Sequence, residues 1–215
     1  MKLSLPGVGS ASLVAGGAVV LTLGGASCRP NSPPPTSPSS GSGPEIRIHE
    51  LAPDALFSPK AQLSFPSYIV PVSMRRKEAK GVVTFELLAS GSVIQVERYS
   101  SDATTFGLIE MSMETYKPAL PLLMTPNKVG GSWKWSGSQE SGGITRKSWA
   151  EISTELSRIP ETGLETVRAT VSLFVDSSAG APSKRKIDFW FAKGKGIVKC
   201  SYGDAITRTS LTAEE

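Results

Sequence analysis

RKIDFWFAKGKGIVKCSY, Arg185–Tyr202, decides the fold. Two β-branched and aromatic runs, Arg185 to Ala192 and Gly196 to Tyr202, flank Lys193-Gly194-Lys195. Such runs around a short glycine-containing connection read as a β-hairpin. Side chains alternate across a strand, so Trp190 and Phe191 point to opposite faces. One packs inside and the other covers an edge or groove. Val198, Cys200 and Tyr202 share a side, with Lys193, Lys195 and Lys199 as a solvated rim.

The same grammar extends outward. Glu165 to Asp176 (ETVRATVSLFVD) reads as a strand with Val167, Ala169, Val171 and Leu173 on one face. Gly81 to Leu88 and Ser92 to Tyr99 form a further hairpin about Ala89-Ser90-Gly91. Thr105 to Met113 is a strand, Ser132 to Ser136 begins another with Trp133 and Trp135 on one face, and Ile206 to Leu211 is a short last one. Thr145 to Ile159 fits two patterns. Ser148 with Glu151 suits a capping box, with Trp149, Ile152, Leu156 and Ile159 at helical spacing. Ala150, Ile152, Thr154 and Leu156 also alternate, and Pro160 with Gly163 end the segment like a turn, so strand is preferred. Pro118 to Pro126 holds three prolines. Proline lacks the N–H that a central strand needs, so this is read as an extended segment against the core. In residues 45–78, Phe57, Phe65, Tyr68 and Ile69 would pack, but the prolines argue against long regular elements.

Many strands, short turns and no helix–strand alternation predict a mainly β domain. The expected form is a single curved antiparallel sheet, a half-barrel or β-roll, with few or no helices.

The N-terminus carries a separate message. Lys2 precedes an apolar run, Ala11 to Leu23, and then Gly24-Gly25-Ala26-Ser27-Cys28. A positive start, a short apolar segment and small residues before a cut define a signal peptide. The run is short and glycine-rich against the ~20 apolar residues of a spanning helix. A cut before Cys28, with the thiol acylated, makes residues 1–27 a lipoprotein signal. A plain secretory signal cut near Ala26 and an uncleaved anchor are the competing readings. Arg29 to Pro44 holds six prolines and many serines. It cannot bury enough apolar surface to fold, so residues 28–44 read as a lipidated Cys with a disordered tether. Residues 45–215 then form one domain.

The chain is 39% hydrophobic and 20% charged, within the globular range. Its net charge of +4 becomes +3 without Lys2. The basic residues are scattered, which argues against nucleic acid as a partner. Met74-Arg75-Arg76-Lys77-Glu78-Ala79-Lys80 is the one basic cluster and reads as a solvated loop. With Cys28 acylated, Cys200 is left unpaired and packs in the core.

Trp190-Phe191-Ala192-Lys193-Gly194-Lys195-Gly196-Ile197-Val198-Lys199 resembles the closing signature of the TapB-like family of uncharacterised bacterial envelope lipoproteins. Pro121-Leu122-Leu123-Met124-Thr125-Pro126 leading to Val129-Gly130-Gly131-Ser132-Trp133 and Trp135 is similar to an upstream piece of that pattern. So is Ile159-Pro160 with Gly163-Leu164, although here Glu161-Thr162 is inserted and Leu164 replaces an aromatic. The likeness covers about residues 80–205. It implies a curved antiparallel sheet in the bacterial envelope, and no reaction.

Catalytic chemistry has few candidates. The single histidine, His49, lies beside the tether and is expected in solvent. There is no Gly-x-Ser-x-Gly elbow, and one histidine with one free cysteine makes a poor zinc site. Gly194-Lys195-Gly196 lacks Walker spacing and precedes a strand. Glu86, Glu97 and Glu110 read as alternating surface charge. No enzyme, cofactor, metal or catalytic residue is therefore expected. The expected function is a lipid-anchored envelope protein that binds an apolar ligand or lipid, with Trp133, Trp135, Trp190, Met111 and Met113 as candidate ligand-lining residues. Each would serve equally as core. The alternative is a structural or assembly lipoprotein that binds another envelope protein. The expected partners are the membrane that holds the anchor, a lipid or apolar ligand, and another envelope protein, with no nucleic acid.

Overall fold

The computed structural model describes residues 39–52, 60–177, 180–203 and 206–210. The expected signal peptide, Cys28, most of the tether and Phe57 lie outside them. The described elements are α1 (Ile48–Leu51), β1 (Lys60–Ser64), β2 (Ile69–Ala79), β3 (Val82–Ala89), β4 (Ser92–Ser101), β5 (Thr105–Met111), β6 (Glu114–Met124), β7 (Ser132–Ser141), β8 (Ile144–Ile159), β9 (Leu164–Ser177), β10 (Gly180–Ala192), β11 (Gly196–Tyr202) and β12 (Ile206–Ser210).

Each strand pairs antiparallel with its sequence neighbour, and β1 pairs with β12. The sheet is single, antiparallel and almost free of helix, as the sequence implied, but it closes. The half-barrel is corrected to a twelve-stranded barrel. Closure gives every strand a neighbour on both sides, and it hides Ala61, Leu63 and Arg208 on the two strands that meet. Residues 69–79 form the long strand β2, so the prolines did not exclude regular structure there. Pro71 lies opposite Gln62 of β1 and precedes the first β2–β3 partners, Ser73 and Leu88, so β2 is paired on one side only at that position. The basic cluster lies on this strand rather than on a loop, with Arg75 and Lys77 both paired to Glu86 of β3.

Inward alternation fills the interior. Val167, Ala169, Val171 and Leu173 on β9 are buried, as are Ile187, Phe189 and Phe191 on β10. Aromatic rings from opposite walls meet. Phe106 of β5 lies edge-on to Phe191 of β10 at 5.8 Å, and Tyr99 of β4 edge-on to Phe189 at 6.4 Å. The middle of the barrel is therefore core.

The up-and-down order sends successive connections to alternate ends. One end, termed lower, is covered by α1, whose Ile48 and Leu51 are buried along with Ile46. The β10–β11 turn holds it. Gly194, at φ 72° in a tight turn that favours glycine, donates its N–H to the Glu50 carbonyl at 2.8 Å. Lys193 also reaches the Glu50 carboxylate at 2.9 Å. His49 on α1 is exposed.

Candidate functional site

The other, upper end carries the β1–β2, β3–β4, β5–β6, β7–β8, β9–β10 and β11–β12 connections. Just inside it, inward positions of three strands place a polar cluster across the barrel. Glu114 and Tyr116 come from β6, Arg185 from β10 and Tyr202 from β11. Arg185 Nη1 donates to Glu114 Oε1 at 2.5 Å. The Tyr116 hydroxyl donates to Glu114 Oε2 at 2.9 Å, and Tyr202 bonds both Glu114 and Arg185. The guanidinium also lies 5.4 Å from the centre of the Tyr202 ring.

Burial, followed by the neighbouring Tyr202 and Glu114, holds the Tyr116 phenol far above its ordinary range. Tyr202 is raised by burial and by its bond to Glu114. Burial works against the charge on Arg185, but Glu114 more than compensates and the guanidinium stays protonated. Both oxygens of Glu114 are thus engaged by partners. The cluster bridges the barrel at the part of its interior that solvent reaches, since the Arg185 side chain is 29% exposed.

The rim around this cluster is apolar. Tyr68 and Ile69 at the β1–β2 turn, Val93 and Ile94 after the β3–β4 turn, Met113 in the β5–β6 turn and Ile144 after the β7–β8 turn are all exposed. Met113 is 85% exposed. Among described residues, the one other exposed large hydrophobic side chain is Leu156, on the outer face of β8. Behind the rim, on the outside, Trp149, Phe174 and Lys184 stand in register on β8, β9 and β10. Trp149 stacks on Phe174 with centroids 5.7 Å apart, and the Lys184 ammonium sits 5.5 Å from the Phe174 ring. Lys147 and Lys186 are exposed on the same outer face, and Arg146 is exposed on the inward side of β8 near its start, opposite Gln139.

The five candidate lining residues do not converge. Met111, Trp133 and Trp135 are core side chains, and the Trp133 indole N–H donates to the Pro121 carbonyl at 3.0 Å. Trp135 lies edge-on to Tyr116 at 6.3 Å, and its buried indole N–H has no hydrogen-bond partner among the described residues. Trp190 is on the outer face, sandwiched by Arg168 at 5.1 Å and Lys199 at 5.4 Å, while Phe191 points inward as the alternation required. Met113 alone of the five stands on the upper rim. Cys200 is free and buried, and burial pushes its thiol up to about 12.

Sequence reasoning missed the charges inside. Glu97, read as surface charge, is fully buried and bonded to Arg208 of β12. The signal available was its shared face with Tyr99. Glu114, Arg185 and Tyr202 were likewise visible only as strand residues of the inward parity. Among the described residues, no group of three His, Cys, Asp or Glu side chains could hold a metal ion. A shallow groove of about 390 Å³ beside Ser39, Ser132 and Ser172 contains one cation and one anion, Lys134 and Glu151, 3.7 Å from each other. No protein-family model, curated protein or solved structure matches the chain.

Proposed function

We propose that this is a lipid-anchored protein of the bacterial cell envelope whose barrel is a non-enzymatic binding module for lipid or another apolar ligand, engaged at its upper end. One observation carries the binding reading: exposed aliphatic and aromatic side chains gather at one end of the barrel, and among the described residues Leu156 is the one exposed large apolar side chain away from it. Exposed apolar side chains scattered singly are ordinary, whereas a set of them on one end of a molecule marks a contact surface. The anchor rests on Lys2, the apolar run and Cys28, and the likeness of Trp190–Lys199 to the TapB-like signature supports the location.

A second reading has its own support. The barrel is filled, and the apolar residues are displayed rather than enclosed, which suits an assembly lipoprotein with another envelope protein as partner.

Labelling with radioactive palmitate in a bacterial host tests the anchor. The full chain is expected to take up label and fractionate with membranes, and Cys28→Ser to lose both. A label-free full chain overturns the anchor. Native mass spectrometry of the Cys28→Ser chain without residues 1–27, mixed with monomeric dihexanoyl phosphatidylglycerol, tests the ligand class. Bound lipid supports the module, and a clean unliganded mass moves the reading to a protein partner.

A further inference from the structure

We propose that the upper end docks onto the surface of an anionic bilayer, with the hairpin tips at Ile69, Ile94, Met113 and Ile144 entering the acyl boundary while Arg146 and Lys184 meet headgroup phosphates. This rests on the lipid-binding reading and specifies its target as a membrane surface.

The order of side chains along the barrel axis carries the argument. Outermost come the tips, Met113 at 85% and Ile69 at 61% exposure among them. Behind them comes one mixed band: along β8, Ile144 is followed by Arg146 and Lys147 and then by Trp149, and Lys184 of β10 stands level with Phe174 and Trp149. Aliphatic tips backed by intermixed basic and aromatic side chains match what is met on leaving a bilayer core through its interface. The tips also belong to four different hairpins, each contributing one or two apolar side chains. A rigid protein partner would need a matching pocket for every tip. A fluid acyl layer accepts them all without such a match.

The charges fit as well. Lys184 rests on the Phe174 ring, and Arg146 is exposed at the start of β8. The acids nearby are few or engaged. Glu114 is held inside by Arg185, Glu140 pairs with Lys117 at 3.1 Å, and Lys186 reaches Asp188 at 3.3 Å. Asp176, two residues beyond Phe174, is an exposed acid in this row. Cations within a Debye length of an anionic membrane are attracted to it, and salt weakens that attraction.

Flotation with vesicles decides the matter, using the Cys28→Ser chain without residues 1–27 so that no acyl anchor contributes. Binding is expected to vesicles of phosphatidylethanolamine with phosphatidylglycerol, to weaken with added salt, and to be lower with phosphatidylcholine alone. Arg146→Ala and Lys184→Ala should each lower affinity about fivefold. Met113→Asp with Ile144→Asp should lower it at least about tenfold, because a carboxylate resists the acyl region. Both sites are exposed, and aspartate tolerates the positive φ of residue 113, so these variants are expected to melt like the parent. Rim variants that float as the parent does overturn the proposal. So does binding indifferent to both salt and phosphatidylglycerol. Uptake of monomeric dihexanoyl phosphatidylglycerol without vesicle binding overturns docking and leaves the lipid-binding reading standing. Binding to neither overturns both.

Discussion

At the scale of single residues, the pair Glu97–Arg208 stands apart. Arg208 Nε and Nη2 each meet one oxygen of Glu97 at 2.9 Å, and both side chains are essentially without solvent. Tyr99 donates to the same carboxylate at 2.8 Å and Gln95 at 3.2 Å. Burial opposes the charge on Arg208, yet the adjoining Cys200, Glu97 and Tyr99 hold its pKa above the usual arginine value. A buried pair of this kind tolerates joint removal far better than the loss of one partner. Arg208→Met alone leaves a carboxylate in the core and is expected to cost about 3–5 kcal/mol. Adding Glu97→Leu to it should recover most of that loss. Urea midpoints of the two single variants and the double variant, at constant m, check the cycle. Nothing local announces such a pair. Its members are 111 residues apart, and on its own strand Glu97 looks like any alternating polar residue.

Among the elements, the β6–β7 junction is where proline reshapes a ladder. Pairing runs from Glu114↔Ser141 to Lys117↔Ser138 and stops, with Pro118 next in sequence. Beyond it, β6 keeps its partner β5 through Leu123 and Met124, and Trp133 of β7 supplies a side-chain bond to Pro121 in place of a backbone rung. The sequence argument that prolines bar this segment from a central strand was half right. They removed one ladder and left the other. Gly137 is fitted to the gap, since a Cβ there would lie 2.6 Å from Trp135 Cζ2 and closer still to the Lys117 carbonyl. Gly137→Ala is therefore expected to cost on the order of 1–3 kcal/mol, the range for overpacking, and to shift tryptophan emission as Trp135 is displaced. Thermal melts and emission spectra, with Ser136→Ala as control, check it. Strong alternation made the hairpins at 81–99 and 185–202 and strand β9 legible, whereas β8 also carried a helical spacing and was only preferred as a strand. Closure was not legible: ITRTS reads as a short strand, but its partner KAQLS has no β-branched or aromatic side chain, and nothing local pairs the two. The upper rim was legible only through Met113, since exposure depends on which end a turn occupies.

For the whole molecule, topology sets the order of events. Eleven of the barrel's pairings join neighbours in sequence, whereas β1 meets β12 across almost the full domain, Leu63 facing Arg208. Long-range closure pays its entropy late. Leu63→Ala is expected to speed unfolding and leave refolding nearly unchanged, while Val171→Ala in the long β8–β9–β10 region should slow refolding. Chevron plots of the two variants provide the comparison, φ near zero for the first and intermediate for the second. A Leu63 variant that slows refolding as much as it destabilises would place closure in the rate-limiting step instead.

That same meeting of first and last strands governs how the protein can be made. A chain delivered N-terminus first, by ribosome or export channel, forms each hairpin as it emerges. Its sheet keeps two raw edges until Ile206–Ser210 arrives. No partial length of this polypeptide is a finished barrel, so synthesis must carry an open sheet, with half of the Glu97–Arg208 bridge missing, up to its last strand.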